Sequence, residues 1–266
     1  MAEQELTTGP TLHLEDSGSG QPIVFVHGVM MSGRFFQRQL PHFSTHHRAV
    51  IPDLRGHGQS EKVLSGHTVA NYARDLHDLF QLRHVEKPAL VGWSMGAMVV
   101  YEYLKQFGFD SVKGIVIVDQ PPSDFAWEGY PFGVMTVEVL GQFVEGLQLD
   151  QQAIAEEFHE LMVHEPSAAT HWMVEEIMRV PAAIATSILV NQTLQDYRPL
   201  LPTITTPSLV LFGRDPKLTS PEAGQYTANE IPHARFEVFE ESSHCPFYEE
   251  AARFNQVVEE FVASLD

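Results

Sequence analysis

The chain has 266 residues, of which 44% are hydrophobic, and its formal net charge at pH 7 is −19. A chain of this length can build one large domain whose core needs no covalent cross-links, and its single cysteine, Cys245, excludes a disulfide-rich scaffold. A negative charge this large repels phosphate, so we expect neither nucleic acid nor an anionic membrane surface as a partner.

The first six residues, MAEQEL, are rich in acids and contain no apolar stretch of the kind that a secretory signal requires. No apolar run elsewhere in the chain approaches the ~18 residues that a membrane span needs. The lone thiol also suits a reducing compartment. The sequence therefore predicts a cytoplasmic protein without a membrane anchor.

Short runs rich in Val and Ile alternate along the chain with longer segments of helical period. Runs without polar alternation predict strands buried on both faces of a parallel sheet, at residues 22–26, 49–51, 89–91, 114–118 and 208–212. Alternating runs predict an antiparallel edge strand at 11–14 and a late strand at 235–239. Helices are predicted at 33–40, 69–82, 95–107, 221–231 and 246–265. This alternation predicts an α/β fold with a doubly wound, mostly parallel sheet.

One interval, residues 121–202, interrupts this alternation because it contains helical segments but no convincing strand. The segments are 136–146, 151–163, 168–180 and 182–195, and Gly and Pro residues separate them. A structureless loop of this length is implausible inside a domain, so the interval predicts a helical cap inserted before the penultimate strand. The predicted core then comprises residues 1–120 and 203–266.

The strongest chemical motif is the pentapeptide GWSMG, which contains Ser94. It follows a predicted buried strand and precedes a predicted helix, which is the context of a nucleophile elbow. In such an elbow, small residues such as Gly92 and Gly96 permit a sharp turn that holds the serine hydroxyl at the carboxyl edge of the sheet. The sequence therefore predicts Ser94 as a catalytic nucleophile.

A second motif, HGV at residues 27–29, follows the predicted strand at 22–26. Acyl transfer needs backbone N–H groups aimed at the developing oxyanion, each worth about 3 kcal/mol. We predict that the N–H groups of Val29 and Met95 supply them. His27 is interpreted as a structural histidine, and Gly28 as a residue that gives the backbone room.

The general base is predicted to be a histidine, because imidazole exchanges a proton near neutral pH. The chain has fourteen histidines, and His244 alone lies between the last predicted strand and the last predicted helix. It also follows Ser94 in the chain, as the order serine, acid, histidine requires.

Two aspartates between Ser94 and His244 end predicted strands and compete for the role of the acid. We predict Asp215, which follows the strand at 208–212 and a glycine, as the residue that orients the imidazole. Asp119, which follows the strand at 114–118, is the alternative. Asp53 precedes the serine and is therefore disfavoured.

These motifs together resemble the α/β-hydrolase superfamily over residues 22–119 and 205–264. Residues 53–60 match its signature Asp-x-Arg-Gly-x-Gly-x-Ser, whose usual role is to buttress the site. From Asp53 to Gly96 the chain is similar to cofactor-free haloperoxidase-like esterases and their lactonase relatives. Many of those carry Trp-Pro after His-Gly, where this chain has Val29 and Met30. The resemblance implies an α/β-hydrolase fold and a serine hydrolase.

Large apolar residues predict a hydrophobic substrate pocket under the cap. The predicted lining residues are Met30, Phe35, Trp93, Phe125, Trp127, Phe132 and Trp172, with Tyr130, Met135 and Met173 as further apolar surface. The expected substrate is a small-to-medium, largely apolar carboxylic ester or lactone, cleaved through an acyl-enzyme.

Neither a metal nor a cofactor is predicted. The clustered His42, His46 and His47 lack an accompanying acidic ligand pattern, and no Gly-rich dinucleotide loop is present. Two alternatives to an esterase remain open. One is a lyase or C–C bond hydrolase, for which a cation in the pocket, among Arg34, Arg55 and Lys217, would be the sign. The other is a non-catalytic ligand receptor on a hydrolase shell.

Overall fold

The computed structural model describes residues 2–5 and 9–265. Met1, residues 6–8 and Asp266, which the predicted core also spans, lie outside the described residues. The strands are β1 (Ala2–Glu5), β2 (Thr11–Gly18), β3 (Pro22–Val26), β4 (Arg48–Pro52), β5 (Ala89–Trp93), β6 (Gly114–Val118), β7 (Ser208–Gly213) and β8 (Arg235–Phe239). Within the described residues they form one sheet in the order β1-β2-β4-β3-β5-β6-β7-β8. Every pair from β4 to β8 is parallel, which confirms the predicted fold class.

The antiparallel edge differs from the prediction in one respect. β2 pairs antiparallel with β4, as an edge strand would. The other side of β2 pairs antiparallel with β1, however, so β1 forms the edge of the sheet. Residues 2–5 have no alternation of apolar and polar side chains, so their sequence contains no strand signal. Backbone pairing with β2 determines this strand instead.

The helices around the sheet are α1 (Leu40–Phe43), α2 (Val69–Arg83), α3 (Met95–Phe107), α8 (Pro221–Glu230), α9 (Pro246–Glu249) and α10 (Ala251–Ala263). The predicted helix at 33–40 is a 3₁₀ turn, Gly33–Phe36, followed by α1. The predicted helix at 246–265 is broken at Glu250, which has non-helical backbone angles. The Glu250 carboxylate accepts hydrogen bonds from the backbone N–H of Glu241 and the hydroxyl of Ser242, so it secures the loop before α9.

Four α-helices lie between β6 and β7, in the interval where the sequence predicts an insertion. These cap helices are α4 (Val137–Leu149), α5 (Gln151–Met162), α6 (Trp172–Ile177) and α7 (Ala182–Thr193). The division of the chain into a core and a cap at residues 121 and 202 stays a prediction. Among the helices that the structure describes, none combines the length and the apolar character that crossing a membrane requires.

The strand order places a switch point between β3 and β5. From β3 the chain moves to β4 on one side, and then crosses to β5 on the other. The connections that leave the carboxyl ends of β3 and β5 therefore diverge, and a crevice opens between them. Residues 27–29 follow β3 and Ser94 follows β5, so both predicted motifs lie at this crevice.

Asp53, at the carboxyl end of β4, organises the neighbouring loops. It is buried, and its carboxylate accepts hydrogen bonds from the backbone N–H groups of Gly33 and Gln59, each at 2.7 Å. It also pairs with His13 at 3.1 Å. Burial alone would raise the pKa of Asp53, but these hydrogen bonds outweigh burial and hold its pKa below the ordinary value.

We expect Asp53→Ala to lower the free energy of unfolding by about 3 to 5 kcal/mol, because it leaves two partly buried backbone N–H groups and the buried His13 without their partner. Urea denaturation measures this change, and Asp110→Ala, at an exposed aspartate, should change it by less than about 0.5 kcal/mol.

The loss of unfolding free energy in Asp53→Ala should depend on pH. The Asp53 pKa is lowered, so its contribution disappears as the pH falls through the folded pKa. The hydrogen bond to Asp53 raises the His13 pKa, so that contribution disappears as the pH rises through the folded pKa. The two contributions overlap between about pH 4 and pH 6.5, where the difference between wild type and variant should be largest. A pH-independent difference would contradict this account.

Candidate active site

Ser94 occupies a sharp turn between β5 and α3. Its backbone has φ 55° and ψ −130°, a positive-φ conformation that non-glycine residues seldom adopt. The N–H of Ser94 donates to the carbonyl of Val118 at 3.0 Å, and its carbonyl accepts from the N–H of Ala97 at 2.8 Å. The turn is therefore held on both sides, and the side chain is directed out at the sheet edge as an elbow requires.

The glycines of the motif permit close packing around this turn. A Cβ on Gly96 would collide with the carbonyl of Val26, and one on Gly92 with the carbonyl of Gly96. Gly28 lies against the serine itself, since a Cβ there would be 3.0 Å from the Cβ of Ser94 and 3.4 Å from its Oγ. The loop after β3 thus reaches the serine through a residue without a side chain.

His27 anchors that loop. Its Nε2 accepts from the backbone N–H of Leu54 at 3.0 Å, so its Nδ1 carries the proton and donates to the carbonyl of Gly28 at 2.8 Å. The ring is fully buried, and burial lowers its pKa. His27 is therefore a neutral structural residue, as the sequence interpretation expects, and it orients the segment that carries Val29.

His244 lies in the loop between β8 and α9 and is 6% exposed. Its Nδ1 is 2.8 Å from Oδ1 of Asp119. Its backbone is fixed as well, because its N–H donates to the carbonyl of Met162 and its carbonyl accepts from Nε1 of Trp93. The ring stacks obliquely on Trp93 with centroids 5.4 Å apart, so the imidazole has a defined orientation.

Asp119, at the end of β6, is 2% exposed and has a positive φ of 48°. Its Oδ2 accepts from the backbone N–H of Gly213 at 2.8 Å, and its Oδ1 accepts from the hydroxyl of Thr219 as well as from His244. A buried carboxylate that accepts from three donors is held in one orientation.

The expectation that Asp215 contacts His244 is wrong. Its carboxylate turns to the cap, where Oδ2 is 2.8 Å from Nδ1 of His164, and its side chain is 22% exposed. The loop that contains Asp215 is also held against the residues that follow α5, because Nζ of Lys217 donates to the carbonyls of Val163 and His164. Asp119, the alternative weighed from the sequence, occupies the position beside the imidazole.

Ser94 and His244 line one cavity of about 280 Å³ between the sheet edge and the cap helices. Val29 also lines it. The cap contributes apolar walls, which are Val134, Met135, Val139, Phe143, Phe158, Leu161 and Leu189. The cavity therefore combines the predicted nucleophile, the predicted base and one predicted oxyanion residue with a mostly apolar surface.

A model of the alpha/beta hydrolase family matches residues 23–257. The chain belongs to this family. It is 31% identical over 259 residues to pimeloyl-[acyl-carrier protein] methyl ester esterase of Vibrio cholerae, which covers 94% of this chain and 97% of that protein. It is 27% identical over 248 residues to non-heme chloroperoxidase CPO-A1 of Kitasatospora aureofaciens, 89% of each. An esterase from Exiguobacterium antarcticum superposes with a TM-score of 0.93 at 25% identity, covering 98% of both chains. The resemblance inferred from the motifs is confirmed.

The predicted pocket lining of this α/β hydrolase needs correction, because none of its seven residues lines the cavity beside Ser94. They are Met30, Phe35, Trp93, Phe125, Trp127, Phe132 and Trp172. Trp93 and Phe35 are fully buried in the core with ring centroids 5.2 Å apart, and Trp172 packs on Phe35 from the cap side. Aromatic size indicates burial but not the side of the core on which a ring lies. Met135, named from the sequence as further apolar surface, does line the cavity.

Three residues of this hydrolase that matter to the site escaped the sequence analysis. Thr219 supports Asp119, and Asp124 and Gln192 line the cavity. Nothing in a single sequence marks a threonine 100 positions from its partner, and Asp124 lies in an irregular segment without a motif. The one available signal was the strand-end position of Asp119.

In the part of the chain that the structure describes, no three His, Cys, Asp or Glu side chains group as they would to hold a metal. The absence of a cofactor stays a prediction.

Cys245, next to His244, is fully buried, and burial raises the pKa of its thiol well above the ordinary value. We therefore expect the folded hydrolase to resist thiol reagents, because the thiolate is the reactive form. Titration with a chromogenic disulfide should show less than about 0.1 thiol per chain in native buffer and about one in denaturant. Rapid labelling of the native protein would contradict this expectation.

Proposed function

We propose that this chain is a serine esterase that cleaves small-to-medium, largely apolar carboxylic esters or lactones through an acyl-enzyme. The observation that carries the proposal is that His244, whose Nδ1 is hydrogen-bonded to the buried Asp119, lines the same cavity as Ser94. A nucleophile at an elbow, a fixed imidazole and a buried carboxylate are the three parts that acyl transfer needs. The similarity of the chain to esterases also supports ester hydrolysis.

In the first half of the reaction, Ser94 Oγ attacks the ester carbonyl while Nε2 of His244 takes its proton. Asp119 accepts the hydrogen bond from Nδ1, which keeps Nε2 free as a base and stabilises the imidazolium. The N–H groups of Val29 and Met95 bind the oxyanion of the tetrahedral intermediate. The C–O bond then breaks, and the alkoxide leaves as an alcohol with the proton from His244.

The second half repeats these steps with water as the nucleophile. His244 takes a proton from water, hydroxide adds to the acyl carbon, and collapse of the intermediate returns the proton to Ser94. The products are a carboxylic acid and the free enzyme. For a lactone, the leaving alcohol stays attached to the acyl group, and the product is a hydroxy acid.

The proposed substrate is uncharged because the cations near the site are engaged elsewhere. Arg34 pairs with Glu176, and Arg55 pairs with Asp75 in a bidentate contact. Lys217 lines the cavity, but its ammonium donates to backbone carbonyls at the end of α5. The lyase or C–C bond hydrolase alternative relied on one of these cations as a pocket group, and their pairing favours an ester or lactone.

A labelling experiment tests the nucleophile independently of the substrate. A fluorophosphonate probe should modify Ser94, located by mass spectrometry of peptides, and Ser94→Ala should take up no label. In parallel, p-nitrophenyl esters of acetate to decanoate and a set of lactones define the substrate. Turnover of short and medium esters supports the proposal. A protein that neither binds the probe nor hydrolyses any ester would be a receptor instead.

A further inference from the structure

One end of the cavity beside Ser94 is polar, unlike its apolar walls. Asp124, Gln120, Gln192 and Thr193 meet there, and all four line the cavity. We call these four residues the polar end. None of them belongs to the proposed nucleophile, base, acid or oxyanion groups, so the proposed reaction leaves their role open.

The hydrogen bonds within the polar end are directed at the carboxylate. Nε2 of Gln120 donates to Oδ1 of Asp124 at 2.6 Å, and Nε2 of Gln192 donates to Oδ2 at 2.8 Å. The second hydrogen of the Gln120 amide is also used, on the carbonyl of Pro121 at 3.0 Å. Asp124 is therefore clamped between two amides, and burial raises its pKa.

This clamp leaves acceptors without donors. Because the amide nitrogen of Gln192 faces the carboxylate, its Oε1 points away, and this atom has no hydrogen-bond partner in the described part of the chain. The hydroxyl of Thr193, which carries a hydrogen of its own as well as acceptor lone pairs, likewise has no partner among the described residues. Gln192 is 5% exposed and Thr193 is fully buried. Buried acceptors without donors are uncommon in folded proteins, because each one carries a desolvation cost.

We propose that the polar end is a specificity subsite for a hydrogen-bond donor, so the preferred substrate is an ester or lactone that carries a hydroxyl or amide N–H group. This inference rests on the proposed function, because it identifies the substrate of the same site. The unpartnered oxygens of Gln192 and Thr193 expose less than 1 Å² each, so the acceptors that a substrate reaches are the lone pairs of the cavity-lining Asp124 that the two amides leave free. A substrate hydroxyl or N–H satisfies them, whereas an ether or a methyl group leaves them unpaired.

Binding to the Ser94→Ala variant tests the subsite without depending on turnover. Calorimetry would compare methyl 3-hydroxybutyrate, as separate enantiomers, with methyl 3-methoxybutyrate, and methyl N-acetylglycinate with its N-methyl derivative. We expect at least one donor-bearing ester to bind about tenfold more tightly than its blocked partner. The pair that shows the preference distinguishes a hydroxyl from an amide N–H. Equal affinity within both pairs would overturn the proposal.

Two further substitutions locate the preference at the polar end. Asp124→Asn removes carboxylate lone pairs at the cavity, so the ratio of the two dissociation constants should fall by about fivefold. Thr193→Val keeps the shape of the side chain but removes a buried, unpartnered hydroxyl, and it should lower the ratio less. Thr186→Val, on the same helix α7 but outside the cavity lining, should leave the ratio unchanged. An undiminished ratio in both polar-end variants would overturn the proposal.

The two proposals fail in different ways. If the wild type hydrolyses p-nitrophenyl esters but the Ser94→Ala variant binds donor and blocked esters equally, only the subsite is wrong. If donor esters bind preferentially but the wild type hydrolyses no ester, the subsite stands and the esterase proposal is wrong.

Discussion

Replacement of Ser94 by alanine is expected to lower kcat for ester hydrolysis by about 10⁶-fold, because it removes the atom that attacks the ester carbonyl in the proposed mechanism. The residual rate would come from the oxyanion donors and from substrate binding. The fold should be retained, since the backbone of the turn is held by hydrogen bonds to Val118 and Ala97 that do not involve the hydroxyl. Steady-state kinetics with p-nitrophenyl butyrate and a thermal unfolding curve measure the two quantities.

A second serine provides the control for this variant. Ser208 is buried at the start of β7, and its hydroxyl donates to the carbonyl of Thr206, far along the strand from the carboxyl edge. Ser208→Ala should keep kcat within about threefold of the wild type, because it changes no group of the proposed mechanism. If Ser94→Ala keeps more than about one hundredth of the wild-type kcat while folded, the assignment of the nucleophile is wrong.

Replacement of Asp119 by asparagine is expected to lower kcat by about 10⁴-fold at neutral pH. The N–H of Gly213 selects the amide oxygen of the new side chain at the Oδ2 position, so the amide NH₂ group faces His244. The imidazole then accepts at Nδ1 and carries its proton on Nε2. In that tautomer it cannot take the proton from Ser94.

Asp215→Asn is the matched control, because the two aspartates were the candidates for the acid. The Asp215 carboxylate contacts His164 and lies 3.9 Å from Lys217, at the end of α5. We therefore expect its replacement to change kcat by less than about tenfold, since it removes a partly exposed pair rather than the orienting carboxylate. A larger loss in Asp215→Asn than in Asp119→Asn would return the role of the acid to Asp215.

A single sequence does not determine which of these two aspartates contacts His244. Each follows a buried parallel strand, and β6 and β7 are neighbours, so both carboxylates start from the same edge of the sheet. Their side chains diverge because of contacts that are remote in the chain. Gly213 and Thr219 hold Asp119 towards His244, while His164 on the cap side draws Asp215 away.

The sequence also does not determine which residues of the cap helices line the cavity. The hydrophobic period of residues 137–149 and 151–162 predicts helices, and both helices are present as α4 and α5. Helical period does not determine which face of a cap helix meets the substrate and which meets another helix. Consequently the sequence prediction names aromatics that pack elsewhere, whereas other cap residues, such as Val139, Phe143 and Leu161, line the cavity.

The sequence by itself predicts the fold class, the turn at Ser94 and the anchoring role of His27. These features follow from strand and helix periods, from the placement of glycines and from loop position, which are all properties of residues that are neighbours in the chain. Long-range packing decided the partner of His244, the cavity walls and the polar end around Asp124. Those features join side chains that are up to 125 positions apart, and their contacts arise only when the sheet and the cap come together.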